Sequence, residues 1–239
     1  MKARDVMVSP VITVTPNSSV KELAQTLLKN RISGVPVVDH QGQLVGIVSE
    51  GDLLHRSEAG TEPRRSRGLR LKPRMANETL AAEYIKVHSR KVADIMVRNV
   101  LTADPETPLD EIAILMEQNS IKRVPIVSKG QLVGIVSRAN LIQVVASKNV
   151  GLEVNQEDAA IRDRLLAHLK SQQWAHTALL NVTVNGGLVH LWGVTSSEIE
   201  KEAIRVAAET TAGVHAVYDH LVTGSHFGRA QATPSDRVF

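Results

Sequence analysis

The chain contains no cysteine, which excludes a disulfide framework, a thiolate nucleophile and Cys-ligated zinc, and accords with a reducing compartment. Aromatic residues make up only 3% of it. The longest apolar runs, such as Leu44-Val45-Gly46-Ile47-Val48, fall far short of the roughly 20 residues that span a bilayer, so no transmembrane segment is expected. The start, Met1-Lys2-Ala3-Arg4-Asp5 followed by Val6-Met7-Val8, lacks a secretory apolar core, and a cytoplasmic location is expected. An excess of one charge is missing too: 28 Lys+Arg against 25 Asp+Glu leave a net +3, too little to point to nucleic acid. What remains, 43% hydrophobic and 22% charged residues over 239 positions, is ordinary globular composition with room for two small domains.

Catalytic signatures are absent as well. The nine histidines form no H-x-x-x-H pair, so a helical zinc face has no basis. No G-x-S-x-G elbow, P-loop or G-x-G-x-x-G occurs, and no enzyme is expected. His168, His176, His190, His215 and His220 read as surface residues, and Trp174 and Trp192 as packing anchors.

What the chain does have is a repeat. Asp5-Val6-Met7-Val8 returns as Asp94-Ile95-Met96-Val97, and Ser33-Gly34-Val35-Pro36-Val37-Val38 as Lys122-Arg123-Val124-Pro125-Ile126-Val127, both 89 residues on. After one deletion the offset is 88, and Gly42-Gln43-Leu44-Val45-Gly46-Ile47-Val48-Ser49 recurs as Gly130-Gln131-Leu132-Val133-Gly134-Ile135-Val136-Ser137. Each copy reads as a short strand (Ile12 to Val14; Val100 to Thr102), a Pro-bearing turn and an amphipathic helix, then two apolar β-rich runs and a further helix opening at Ser49 or its counterpart. Val20, Leu23, Ala24, Leu27 and Leu28 give the first helix one buried face, and Ser19 with Glu22 a capping box. Leu109, Ile112, Ala113 and Met116 mark the second helix, with Pro108 at its start. One β-α-β-β-α copy of about 55 residues is too small to bury its sheet alone, so the two copies are expected to pack on each other.

From about Asp158 the pattern changes. Ile161, Leu165 and Leu169 stripe a helix, and Leu180 to Val184 alternates like a half-buried strand. Asn185-Gly186-Gly187 signals a hairpin whose partner runs from Leu188 to Trp192. A helix over 197–211 and a strand from Val214 to Val222 complete an α-β-β-α-β order. Residues 224–239 have no apolar period and read as a tail.

Between the copies the charge is uneven. Arg56 to Lys91 carries ten basic residues against four acidic ones, a net +6. Its stretch Arg64 to Arg74 could meet nucleic acid, acidic lipid or a ligand's phosphates, but it holds no aromatic residue for base stacking. A solvated linker is the default reading and nucleic acid is disfavoured. Glu78 to Ile85 reads as a short helix.

The duplicated pattern, G-h-P-V-h-D followed by G-x-L-h-G-h-h-S-x-x-D, resembles a tandem pair of cystathionine-β-synthase (CBS) domains, often called a Bateman module. N-G-G-L-V-x-L-W-G with A-G-V-x-x-V-x-D-x-L resembles a BON domain. The fold class implied is α/β and α+β: CBS repeat 1 over 1–56, a basic insert over 57–90, CBS repeat 2 over 91–148, and a BON-like domain over 157–223.

Ser49-x-x-Asp52 and Ser137-x-x-Asn140 follow a strand and open a helix, where unpaired N–H groups suit an anion. On spacing alone both are more simply capping arrangements. The resemblance implies instead that this turn holds the ribose and phosphate of an adenosine-type ligand, in a cleft between the repeats. Asp52 fits that role; Asn140 departs from the Asp pattern. Gly34-Val35-Pro36 and Arg123-Val124-Pro125 would line the clefts, with Thr13 and Thr102 at the matching strand position. Pro36 and Pro125 as mere strand starts is an equal reading. Lys122, Arg123 and Arg138 read singly as solvated charges, and their clustering suggests a phosphorylated ligand for the second copy.

The resemblance implies a non-enzymatic regulatory protein with an AMP-, ADP- or ATP-type ligand and no required cofactor. It also implies a homodimer, and a BON-like domain that relays the ligand state to a protein partner or phospholipid surface. The alternative is an adaptor, membrane-peripheral or protein-binding, dominated by the BON domain and with non-binding CBS clefts.

Overall fold

In the computed structural model of the chain, residues 1–54, 84–85, 87–146 and 156–224 are described. The basic stretch 64–74 and the tail 225–239 lie outside them, as does most of the helix expected over 78–85. The chain divides into two compact units. One gathers the described residues of Met1–Pro10, Asp104–Val124 and Gly134–Phe239; the other those of Val11–Ala103 and Pro125–Val133.

In the second unit Ser19 accepts the Glu22 N–H at 3.1 Å while Glu22 accepts the Ser19 N–H at 2.8 Å, so the expected capping box opens helix α2, Val20–Asn30. Leu28, expected on its buried face, is 78% exposed; the buried residues of the helix are Leu23 and Leu27. Each such side chain contributes on the order of 1.5–3 kcal/mol by leaving water. They join Val14, Val35, Val37, Val48, Val92, Ile95 and Met96 in one core. Strands β1 (Gly34–Val38) and β2 (Leu44–Ser49) pair antiparallel, with Gly34 opposite Ser49 and Pro36 opposite Ile47. The strands expected over 12–14 and 100–102 are each reduced to a single parallel bridge, Val14 to Val37 and Ala103 to Ile126. Likewise the helix expected from Ser49 is a 3-10 turn, Glu50–Leu53, as far as the described residues run.

Pro36 and Pro125 do not start their strands; each is the third residue of one. Pro36 is tolerated there because its partner Ile47 exchanges both backbone bonds with Val97, at 2.9 Å each, rather than with β1. The missing N–H therefore breaks no ladder bond.

The two D-h-M-V segments are exchanged. Asp94 to Val97, which opens the second copy, closes with helix α3 (Val92–Ile95) onto the first: Val97 pairs with Ile47, and Val92 N–H donates to Ser18 O at 3.0 Å. Reciprocally, helix α1 (Ala3–Val6) lies in the first unit on the second copy. Val8 pairs with Ile135, and Ala3 N–H donates to Thr107 O at 2.9 Å. Gly46 and Gly134 make this possible, since a Cβ on either would strike the sulfur of Met96 or Met7 respectively.

The first unit also holds helix α4 (Leu109–Gln118), with Ile112 and Met116 buried, and helix α5 (Arg138–Ala146). Strands β3 (Arg123–Ser128) and β4 (Gln131–Ser137) form a two-stranded sheet. Then follows the C-terminal domain: helix α6 (Gln156–Ser171), strands β5 (Leu180–Asn185) and β6 (Leu188–Thr195), helix α7 (Glu198–Glu209) and strand β7 (Ala216–Thr223). β5 and β6 form the expected hairpin, and both N–H groups of its Gly186-Gly187 turn donate to Asp158 at 2.8 Å. β7 adds in parallel on β6. Ile161, Leu165, Leu169, Val182, Val184, Val189, Leu191, Ile204 and Leu221 make its core.

Several sequence expectations are corrected here. β5 is buried on both faces rather than one, because Asn181 and Thr183 are covered on the side away from that core. His190, expected on the surface, is 9% exposed. Trp174 and Trp192 are not among the core residues: Trp174 is 40% exposed, and Trp192 stacks on the His220 ring at 3.8 Å on the opposite face of the sheet.

Candidate functional site

The first candidate turn is built by the end of the β1–β2 hairpin. Antiparallel register sets Gly34 beside Ser49, and Glu50 N–H donates to Ser33 O at 3.1 Å, so the chain leaves β2 directly over the start of β1. Val14 N–H donates to Pro36 O at 3.2 Å, which brings Thr13 to the same strand. Thr13, Gly34, Val35, Pro36, Ser49 and Asp52 thus all belong to the second unit. Asp52 Oδ2 accepts the Ser49 N–H at 2.8 Å and the Ser49 hydroxyl at 3.0 Å. This is the capping geometry that the spacing alone suggested. Asp52 is half-buried, and its Oδ1 has no partner among the described residues. A carboxylate held by one oxygen and open at the other can accept from a diol, as acidic residues do in dinucleotide sites.

The second turn repeats the geometry with a different outcome. Arg138 N–H donates to Lys122 O at 3.0 Å, matching Glu50 to Ser33. Asn140 Oδ1 accepts both the Ser137 N–H and the Ser137 hydroxyl at 2.7 Å. Its remaining polar atom, Nδ2, donates to Gln143 Oε1 at 3.2 Å, and the side chain is 4% exposed. Lys122 and Arg138 are exposed, Arg123 half-buried and Val124 buried. Of the residues expected at this turn, Lys122, Arg123, Val124, Ser137, Arg138 and Asn140 lie in the first unit, Thr102 and Pro125 in the second. There Ala103 N–H donates to Pro125 O at 3.1 Å, the counterpart of Val14 to Pro36.

Three residues that the sequence reading did not single out complete the surroundings of the second turn. Gln143 Oε1 also accepts from Asn181 Nδ2, on β5, at 2.6 Å. Arg162, on α6 and 8% exposed, donates to Val182 O at 2.8 Å, Arg4 O at 2.8 Å and Met7 O at 2.9 Å. Burial pushes the Arg162 pKa down, with Asp163 and Asp5 acting against it. Nothing in the helical periodicity marks Arg162 except its place beside Ile161 on a buried face.

Comparison with known proteins accounts for the repeat. The CBS domain model matches residues 3–59 and 92–147, and the BON domain model residues 157–225. An uncharacterized protein of Methanocaldococcus jannaschii is 33% identical over 154 residues, 61% of this chain and 91% of that protein. The chloroplastic CBS domain-containing protein CBSX1 of Arabidopsis thaliana is 31% identical over 134 residues, 54% of this chain and 57% of its own length. Among solved structures, CBSX2 in complex with AMP shares 25% identity with a TM-score of 0.54, over 62% of this chain and 99% of that one. No described helix is long and apolar enough to cross a membrane.

Proposed function

Because the chain belongs to the CBS-domain proteins, with a BON domain following the pair, we propose that it is a regulatory protein whose first repeat holds an adenosine-containing nucleotide at the Ser49–Asp52 turn. The observation that carries this reading is the half-buried Asp52, whose Oδ2 is fixed by Ser49 and whose Oδ1 has no partner among the described residues. A ribose diol donates to that oxygen, and the purine lies along Gly34, Val35 and Pro36. The AMP complex of CBSX2, a protein of the same fold, supports the ligand class.

No chemistry on the ligand is needed. Binding biases the module toward one arrangement by no more than its differential affinity for the two. The BON domain carries that bias to a partner, and the working assembly is a homodimer in the cytoplasm. A thermal-shift series on the whole chain tests the reading, using AMP and 5′-methylthioadenosine. A ligand at 100 times its dissociation constant adds about 2.7 kcal/mol of stability. Wild type is expected to gain and Asp52→Ala to lose most of the gain while folding normally. A wild type that responds to no adenosine compound, together with salt-sensitive binding to anionic vesicles, sinks the sensor reading and favours the BON-dominated adaptor.

A further inference from the structure

We propose that the second repeat has turned the sugar-binding position of its Ser-x-x-Asn turn into the seat of the BON domain, so that Asn140 is a docking residue and the chain holds one nucleotide, at Asp52. The inference rests on the reading of Asp52 given above for the stoichiometry, and on the geometry of the first unit for the seat.

The two turns share their capping bonds and differ in what is left over. Among the described residues Asp52 keeps an unengaged oxygen, whereas both polar atoms of Asn140 are taken and the residue is 4% exposed. A buried amide with its partners supplied resists exchange for a ligand, because any atom pulled away loses a bond in a place water does not reach. What Asn140 holds is Gln143, and what Gln143 holds is the BON domain, through Asn181 Nδ2 at 2.6 Å. Asn181 Oδ1 has no partner among the described residues, so this bond is the amide's one tie among them.

The departure from Asp then has a physical reason. Gln143 presents its oxygen to both neighbours, and the amide at position 140 can donate to it where an ionised carboxylate cannot. A carboxylate there would set oxygen against oxygen, a clash relieved only by turning over the Gln143 and Asn181 amides together. The next residue of β5 carries the second anchor: Val182 O accepts from Arg162, whose other two bonds end on Arg4 and Met7. Adjacent residues of one strand are thus fixed to helix α5 and to the end of helix α1.

The test combines calorimetric titration of the whole chain with amide hydrogen exchange of residues 180–185. For wild type, AMP or 5′-methylthioadenosine is expected to bind once per chain. Asp52→Ala abolishes that binding and leaves exchange in β5 unchanged. Asn140→Ala and, separately, Gln143→Met keep the affinity within about twofold and speed β5 exchange about tenfold, the effect of one lost buried hydrogen bond. Two nucleotides per chain, one of them lost in Asn140→Ala, overturn the proposal while the Asp52 reading stands. If neither compound binds wild type, the Asp52 reading falls and exchange alone decides the seat: faster β5 exchange in both variants upholds it, and unchanged exchange overturns it.

Discussion

Arg162 Nη2 donates to the Met7 carbonyl at 2.9 Å, so a side chain of the BON domain caps the short helix formed by the first residues of the chain. The last carbonyls of any helix lack intrahelical donors. Here one guanidinium supplies two of them, Arg4 and Met7, and a strand carbonyl as well.

Replacing Arg162 by Met keeps most of the volume and removes every donor. The loss is expected to be about 2–4 kcal/mol, because three carbonyls are left without the guanidinium. Arg162→Lys, with a point charge in place of a planar fork, recovers only part of it. Urea unfolding of the whole chain provides the measurement; a midpoint within error of wild type for Arg162→Met counts against the clamp.

Gly46 is required by a close approach. A Cβ there would lie 2.6 Å from the Met96 sulfur and 3.1 Å from the Val97 carbonyl oxygen. Gly46→Ala is expected to cost about 1–3 kcal/mol, as overpacking of a filled core does. Because the clash is with one side chain first, the double change Gly46→Ala, Met96→Ala should destabilise by less than the sum of the single changes. Strict additivity in the mutant cycle removes Met96 from the explanation.

Asp52→Asn places in the first repeat the residue that the second one has. One amide oxygen can still accept from Ser49, but the open carboxylate oxygen is lost. Affinity for AMP is expected to fall about tenfold or more, the worth of a charge-assisted bond, with little change in melting temperature. Full retention of affinity by the amide denies the carboxylate its role.

His190 gives the BON domain a pH response. Burial lowers its pKa from 6.5, and His220, whose Nε2 lies 3.1 Å from His190 Nδ1, lowers it further. Tyr218 stacks on the same ring at 4.7 Å. With the native value below the unfolded one, the contribution of His190 is whole above 6.5 and is lost as the pH falls toward and through the native value. Melting curves between about pH 7.5 and 5 should therefore show a smaller decline for His190→Phe than for wild type. Equal slopes refute the assignment.

Much of this fold is legible in the sequence because it is written twice and punctuated by glycine. The β1–β2 hairpin, the Leu23 and Leu27 stripe of α2 with its Ser19 cap and the Gly186-Gly187 turn all follow from local pattern. The partner of each D-h-M-V segment does not: Met7 fits a glycine in a G-h-V strand, and both copies offer one. Periodicity reports that a face is buried, not which copy buries it. The same limit hid the double burial of β5, since Asn181 and Thr183 look like solvent-side residues until Gln143 and α1 are brought to them. At the site, Ser49, Asp52, Ser137 and Asn140 could be named from spacing, because each turn is local. Gln143 and Arg162 could not, because their partners lie 38 and 155–158 residues away.

The exchange of Ala3–Val6 onto residues made much later has a bearing on biosynthesis. Everything in the second unit has been translated once residue 133 has emerged, but Val8 then still awaits Ile135, and Arg4 and Met7 await Arg162 and the strand carrying Val182. At roughly 5–20 residues a second, that wait is about 2–10 seconds. The compartment whose residues come off the ribosome first is accordingly the one that closes last.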